Sequence, residues 1–186
     1  MLLNPFGVIA QSLTDAQWQE DLAFLNESIR QHHPDPFYRL SEAEFAGLVS
    51  ALSTRIAELE DHEVVVGLAS IAAALEDGHT AVRGGLEYLS GQYPFLLFYF
   101  DDGFYVIRSA IDPARSLRAR VVAIDGVPVE QVYTAVAATT PHDNDMTLKG
   151  RVPERMVSPE ILHATGITDQ RRQAVFTLVD AAGNEF

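Results

Sequence analysis

The 186 residues contain no cysteine. That removes disulfide scaffolds, thiolate metal sites, iron–sulfur clusters and a cysteine nucleophile. Positive charge is also scarce: 13 basic residues face 26 acidic ones, and Lys149 is the one lysine. The net charge of −13 leaves no basic stripe to displace phosphate counterions, which argues against nucleic acid and anionic membrane surfaces as partners. The deficit is uneven, net −10 over residues 1–93 and net −3 over residues 94–186. No stretch approaches the roughly 20 apolar residues of a membrane span. The apolar opening, residues 1–10, lacks the basic start and full apolar length of a signal peptide. No Gly-x-Ser-x-Gly elbow, P-loop, Gly-x-Gly-x-x-Gly turn or His-Glu-x-x-His helix occurs.

What remains is ordinary globular stock, 47% hydrophobic with 12 glycines and 9 prolines. This length holds one full domain or two small ones, enough to bury a real core. Residues 1–85 read as helices. Thr14 with Gln17 is a capping box, followed by Trp18, Leu22, Leu25 and Ile29 on one face, and Pro34 forces a stop. Ser41 with Glu44 starts a second helix carrying Phe45, Leu48, Val49, Leu52, Ile56 and Leu59. Asp61 is expected to cap a third, with Val65, Leu68, Ala69, Ala72 and Leu75 inward and Gly78 as its left-handed terminator.

Residues 93–186 change character. Phe95 to Phe100, the turn Asp101-Asp102-Gly103 and Phe104 to Ala110 predict a β-hairpin. Leu117 to Ile124 predicts a strand, Asp125-Gly126 a turn and Val129 to Ala138 a helix. Residues 139–157 look irregular, which would leave Lys149 exposed and unfit to act as a base. Ser158-Pro159-Glu160 opens a short helix ended by Gly166, and residues 174–179 form a last strand. The turn Ala182-Gly183-Asn184 then leads to no returning strand, so the expectation is a chain cut inside a hairpin, with self-association through the unpaired edge after Val179.

The histidines are the candidates for chemistry. His32-His33-Pro34-Asp35 resembles a ligand cluster, and a metal-dependent hydrolase on His32, His33 and Asp35 is one rival function. Adjacent histidines usually point apart, and imidazoles at a helix end before a proline stop are the simpler account, so no metal and no cofactor are expected. His62, His142 and His163 carry no motif and are expected to be solvated or capping. His79 sits just past a helix, with Asp77 and Thr80 close enough to orient its ring. Its local chemistry alone favours a residue that caps its own helix over a catalytic one, although loops held by a scaffold are where catalytic groups concentrate.

Three motifs in order shift that balance: Leu75-x-Asp77-x-His79-Thr80, then residues 117–129 (Leu-x-Ala-Arg-Val-Val-Ala-Ile-Asp-Gly-Val-Pro-Val), then Ser158-Pro159-Glu160-x-Leu162 before Gly166-Ile167. Together they resemble the front half of the tail-specific (C-terminal-processing) serine peptidases, the group that includes the tricorn core protease. The resemblance implies an α+β chain. An N-terminal helical bundle would precede a PDZ-like β-rich domain, and the catalytic α/β domain with its serine would be absent. It implies His79 as general base, supported by Asp77 and Thr80, in a fragment inactive alone. The partner implied is a peptide or unfolded protein, bound by strand addition although no Gly-Leu-Gly-Phe loop is present. Such proteins often act outside the cytoplasm, which would suit a periplasmic or extracellular chain whose signal segment was removed; otherwise it would stay in the cytoplasm. The other rival is a stand-alone peptide-binding or scaffold module without hydrolase activity.

Overall fold

The computed structural model describes residues 12–186, apart from the side chains of Leu86 and Glu87; the apolar opening of residues 1–10 lies outside it. The chain is α+β, with three leading helices and a five-stranded antiparallel sheet backed by further helices. Helix α1 (Asp15–His32) begins at the predicted Thr14–Gln17 capping box and buries Trp18, Leu22 and Ile29. His33 is already extended, as a residue before proline must be. Helix α2 (Glu42–Arg55) begins at the Ser41–Glu44 box and runs into a 3₁₀ turn at Ile56–Glu58. Phe45, Leu52 and Ile56 are buried, while Leu48 is 39% exposed, so the inward stripe is narrower than its spacing suggests.

Helix α3 (Asp61–Ala73) departs from expectation at both ends. Glu60, not Asp61, is the N-cap, its N–H donating to Glu63 Oε2 at 2.8 Å. Asp61 is thereby free to accept from Trp18 Nε1–H at 2.7 Å and the Ser12 hydroxyl at 2.8 Å. At the far end, tight turns take over after Ala73, and Glu76 at φ 50°, not Gly78, adopts the left-handed conformation. Gly78 instead lies under the Asp143 carboxylate, which would have to move aside for a Cβ at this position. Nor is α3 a one-sided stripe. Val64, Val65, Leu68 and Ile71 join the core of α1 and α2, whereas Val66 joins the core under the sheet.

Strands β1 (Phe95–Phe100) and β2 (Gly103–Ser109) form the predicted hairpin, with a register shift at Leu96/Leu97. A short helix, α4 (Pro113–Ser116), and a left-handed Arg118 delay the next strand, so β3 is Arg120–Ile124 rather than starting at Leu117. Asp125 and Gly126, both at positive φ, make the tight turn to β4 (Val127–Pro128), and glycine suits the second position. Helix α5 (Val129–Ala137) follows at once.

The stretch 139–157 is not irregular. It contains helix α6 (Asp145–Arg155), capped by Asn144 and with Pro153 inside it. Gly150 and Pro153 mask the signal, yet Val152 and Met156, four apart, are completely buried against the sheet. Lys149 is half-buried on this helix, its ammonium 5.3 Å over the Tyr99 ring. Helix α7 (Pro159–Ala164) has its predicted Ser158 cap and a left-handed Gly166. Strand β5 (Phe176–Val179) pairs with β3 on one side. On the other side Leu178 and Phe186 exchange backbone bonds of 2.8 and 2.9 Å, and Val179 pairs Glu185. The expected strand without a returning partner is therefore paired on both sides. Among the described residues no helix is long and apolar enough to cross a membrane.

Candidate functional site

The loop that leaves α3 is organised around the Asp77 carboxylate. Its Oδ1 accepts the His79 backbone N–H at 3.0 Å, and its Oδ2 accepts the Thr80 hydroxyl at 2.6 Å. His33, the C-cap of α1, brings Nε2 within 3.2 Å of the same Oδ2. The His33 Nδ1 accepts the Asp35 N–H at 3.2 Å, which assigns the proton to Nε2 and makes His33 a donor to Asp77. These contacts favour the ionised carboxylate, and the Thr80 hydroxyl bond, followed by the His79 N–H bond, holds its pKa down to about 2.

His79 itself points outward, with 92% of its side chain exposed. Its Nδ1 faces Asp77 Oδ1 at 3.5 Å, a loose contact that orients the ring. The ring stands at the rim of a cleft of about 1170 Å³ between α1 and the segment 77–85. Trp18, Phe24, Leu25, Ile29, Val82 and Tyr88 supply apolar walls, and His32, His33 and Asp77 join His79 at one end. An apolar concavity with a few convergent polar groups is the usual form of a ligand site.

The sheet side also holds the loop. Asp143, between α5 and α6, accepts the Gly78 N–H at 2.8 Å. Arg151 on α6 donates to Pro141 O at 2.9 Å and reaches Gly78 O at 3.5 Å. The backbone of Gly78 is thus held at both its N–H and its C=O by side chains more than 60 residues away. Asp77, His79 and Asp143 also bring one donor atom each to within 4.8 Å of one another, an imidazole and two carboxylates suited to a divalent ion. Asp77 and Asp143 already accept loop N–H groups through Oδ1.

No family model and no curated protein matches the chain. The geometry therefore stands on its own. Of the expected site residues, Asp77, His79 and Thr80 are brought together as their spacing suggests. His32 and His33 do diverge: His33 turns to Asp77, while His32 lies exposed along the cleft. Asp35 meets His33 through its backbone N–H, and its carboxylate is outside the candidate ion-binding trio. Sequence reasoning missed His33 as a partner of Asp77, together with Asp143 and Arg151. Residue separations of 44 and 65 carry no local signal for such contacts. Two other histidines depart from expectation. His62 is completely buried and its Nε2 lies 2.9 Å from His163 Nδ1, so neither is a solvated or capping residue. His142 Nδ1 contacts Thr140 O at 2.9 Å.

Proposed function

We propose that the chain is the front part of a serine peptidase of the tail-specific, tricorn-like kind, a helical unit and a PDZ-like β unit that deliver His79 as general base. The observation that carries this is an exposed imidazole, oriented by an ionised Asp77 on a hydrogen-bonded loop, at the mouth of an apolar cleft. The carboxylate at Nδ1 favours the tautomer protonated there, which leaves Nε2 to take a proton from a nucleophile and return it to the leaving amine. The serine hydroxyl is supplied by sequence outside this chain. The substrate is a peptide or unfolded protein. Apolar side chains enter the cleft, and an extended segment adds to β1, whose second edge has no strand partner among the described residues.

The test is hydrolysis of an unfolded protein by the product of the complete reading frame. His79→Ala should lower kcat by about 10²–10⁴ with KM nearly unchanged, the range for losing a general base. Unchanged kcat, or a reading frame that ends at Phe186, rejects the assignment. Peptide binding without turnover would favour the scaffold module instead.

A further inference from the structure

His62 and His163 lie where the two hydrophobic cores meet, the first completely buried on α3 and the second half-buried on α7. Their facing nitrogens are 2.9 Å apart and their rings 5.1 Å. A hydrogen bond between imidazoles needs one N–H and one lone pair, so the accepting ring must be neutral. The far nitrogen of His62, Nδ1, looks toward Glu60 Oε2 at 3.6 Å and makes no hydrogen bond among the described residues. A lone pair there would oppose the carboxylate, so Nδ1 carries the proton and Nε2 accepts from His163 Nδ1–H. A proton added at His163 Nε2 would lie outside this bond and leave it intact. A second can enter only at His62 Nε2, where it meets the His163 N–H head-on.

The surroundings oppose that second proton. Burial is the strongest influence lowering the His62 pKa, followed by Arg171, whose guanidinium lies 3.4 Å from Glu60 Oε2. Glu60, the N-cap of α3, and Glu63, on its first turn, pull the other way, while His163 adds to the lowering. The remaining nearby acids are engaged elsewhere: Asp61 with Trp18 and Ser12, and Glu160 of α7 with the Gly91 N–H at 3.2 Å.

We propose that the His62–His163 pair is an acid-opened latch between the helical and sheet units, closed while His62 is neutral and released when both rings are protonated. The closed form binds fewer protons than the open one. Its stability is therefore full above the ordinary histidine value of about 6.5 and falls as pH drops below it. The latch has a consequence at the site. Helix α3 leads straight into Asp77–His79, while Asp143 and Arg151 hold Gly78 from the sheet unit. Releasing α3 from α7 draws that loop away from its sheet-side anchors. The site is assembled at neutral pH and loosened in acid.

Amide hydrogen exchange on the 186-residue chain tests the latch without reference to any activity. At about pH 5.5, protection of residues 62–72 and 159–165, corrected for intrinsic rates, should be roughly tenfold lower than at about pH 7.5. Residues 15–32 and 42–55 should change little. His62→Gln keeps a donor and an acceptor but cannot titrate, and should abolish the acid response. His163→Gln leaves His62 without a cationic neighbour and should shrink the response. Equal wild-type protection at both pH values overturns the proposal, as does an undiminished acid loss in either variant. Should His62→Gln fail to fold, His163→Gln decides alone.

Discussion

In the helical unit, α1 and α2 each start at a side chain that bonds the backbone three residues on, Thr14 with Gln17 and Ser41 with Glu44. In the sheet unit the fixing contacts reach much farther. Asp125 Oδ1 accepts the Val175 N–H at 2.6 Å across 50 residues, and Val157 O accepts the Tyr93 N–H at 2.7 Å. The helix starts of the first unit are specified by neighbours along the chain, whereas these sheet contacts join partners that only the finished fold brings together. The helix that belongs to both, α3, is where the two kinds of specification meet. It is buried on both sides because each unit treats it as a wall.

The largest test of that division is to truncate each core. Phe45 and Leu162 are completely buried, the first in the helical core and the second under the sheet. Phe45→Ala should cost about 3–5 kcal/mol and Leu162→Ala about 2–5 kcal/mol, from lost transfer energy and the cavity left behind. Trp18 is the one tryptophan and lies in the helical core, so its fluorescence follows that unit, whereas far-UV circular dichroism follows both. Because α3 is shared, both probes should give one coincident urea transition in the wild type and in each variant. A Leu162→Ala protein whose dichroism shifts while Trp18 does not would show that the units unfold separately.

The same contrast decides what the sequence reveals. The starts of α1 and α2 are legible because a cap and its partner sit three residues apart, and the Asp125-Gly126 turn because both residues tolerate positive φ. Helix α6 is hidden: Gly150 and Pro153 weaken its local signal, and the burial of Val152 and Met156 against the sheet outweighs them. The end of α3 is misplaced because Gly78 reads as a terminator, whereas its place is under the Asp143 carboxylate. At the site, Asp77, His79 and Thr80 are visible as a tripod of adjacent residues. His33, Asp143 and Arg151 reach them only through the packing of α1 and α6. The His62–His163 contact spans 101 residues and leaves no trace in either local pattern.

A second test concerns acid stability and sharpens the comparison at the loop between the units. The Asp77 carboxyl is depressed to about 2 by the Thr80, His79 and His33 contacts, against 3.8 for the free side chain. A folded pKa below the unfolded one gives stability that is present above about 3.8 and is lost as pH falls toward 2. Asp77→Asn removes the titration, so stability below pH 3.8 should decline less steeply with acid than in the wild type. The effect should be smaller than either core truncation, because it removes one titrating group and leaves the packing in place. It is separate from the histidine latch, which opens as pH falls below the ordinary histidine value of about 6.5. Identical acid limbs in both proteins would mean that the Asp77 contacts do not persist in solution.

The smallest effect compares one cap from each unit. Ser41 and Glu44 satisfy each other's backbone N–H groups at 3.2 and 2.9 Å, and the Ser41 hydroxyl and N–H keep the Glu44 carboxyl below its ordinary range. Asn144 Oδ1 accepts the Thr147 N–H at 3.0 Å and the Thr147 hydroxyl at 3.4 Å before α6. Either residue changed to Ala should cost about 1 kcal/mol, measured by urea denaturation. The distribution of the damage should differ. α2 exposes most of its surface and buries little beyond Phe45 and Leu52, so Ser41→Ala should raise hydrogen exchange through its first turns. α6 is anchored by Val152 at its far end and Met156 just past it, so Asn144→Ala should fray only the turn at Asp145–Leu148. Equal fraying along both helices would mean that α6, like α2, depends on its cap, and the contrast between locally and distantly fixed units would fail at the element where it is drawn most sharply.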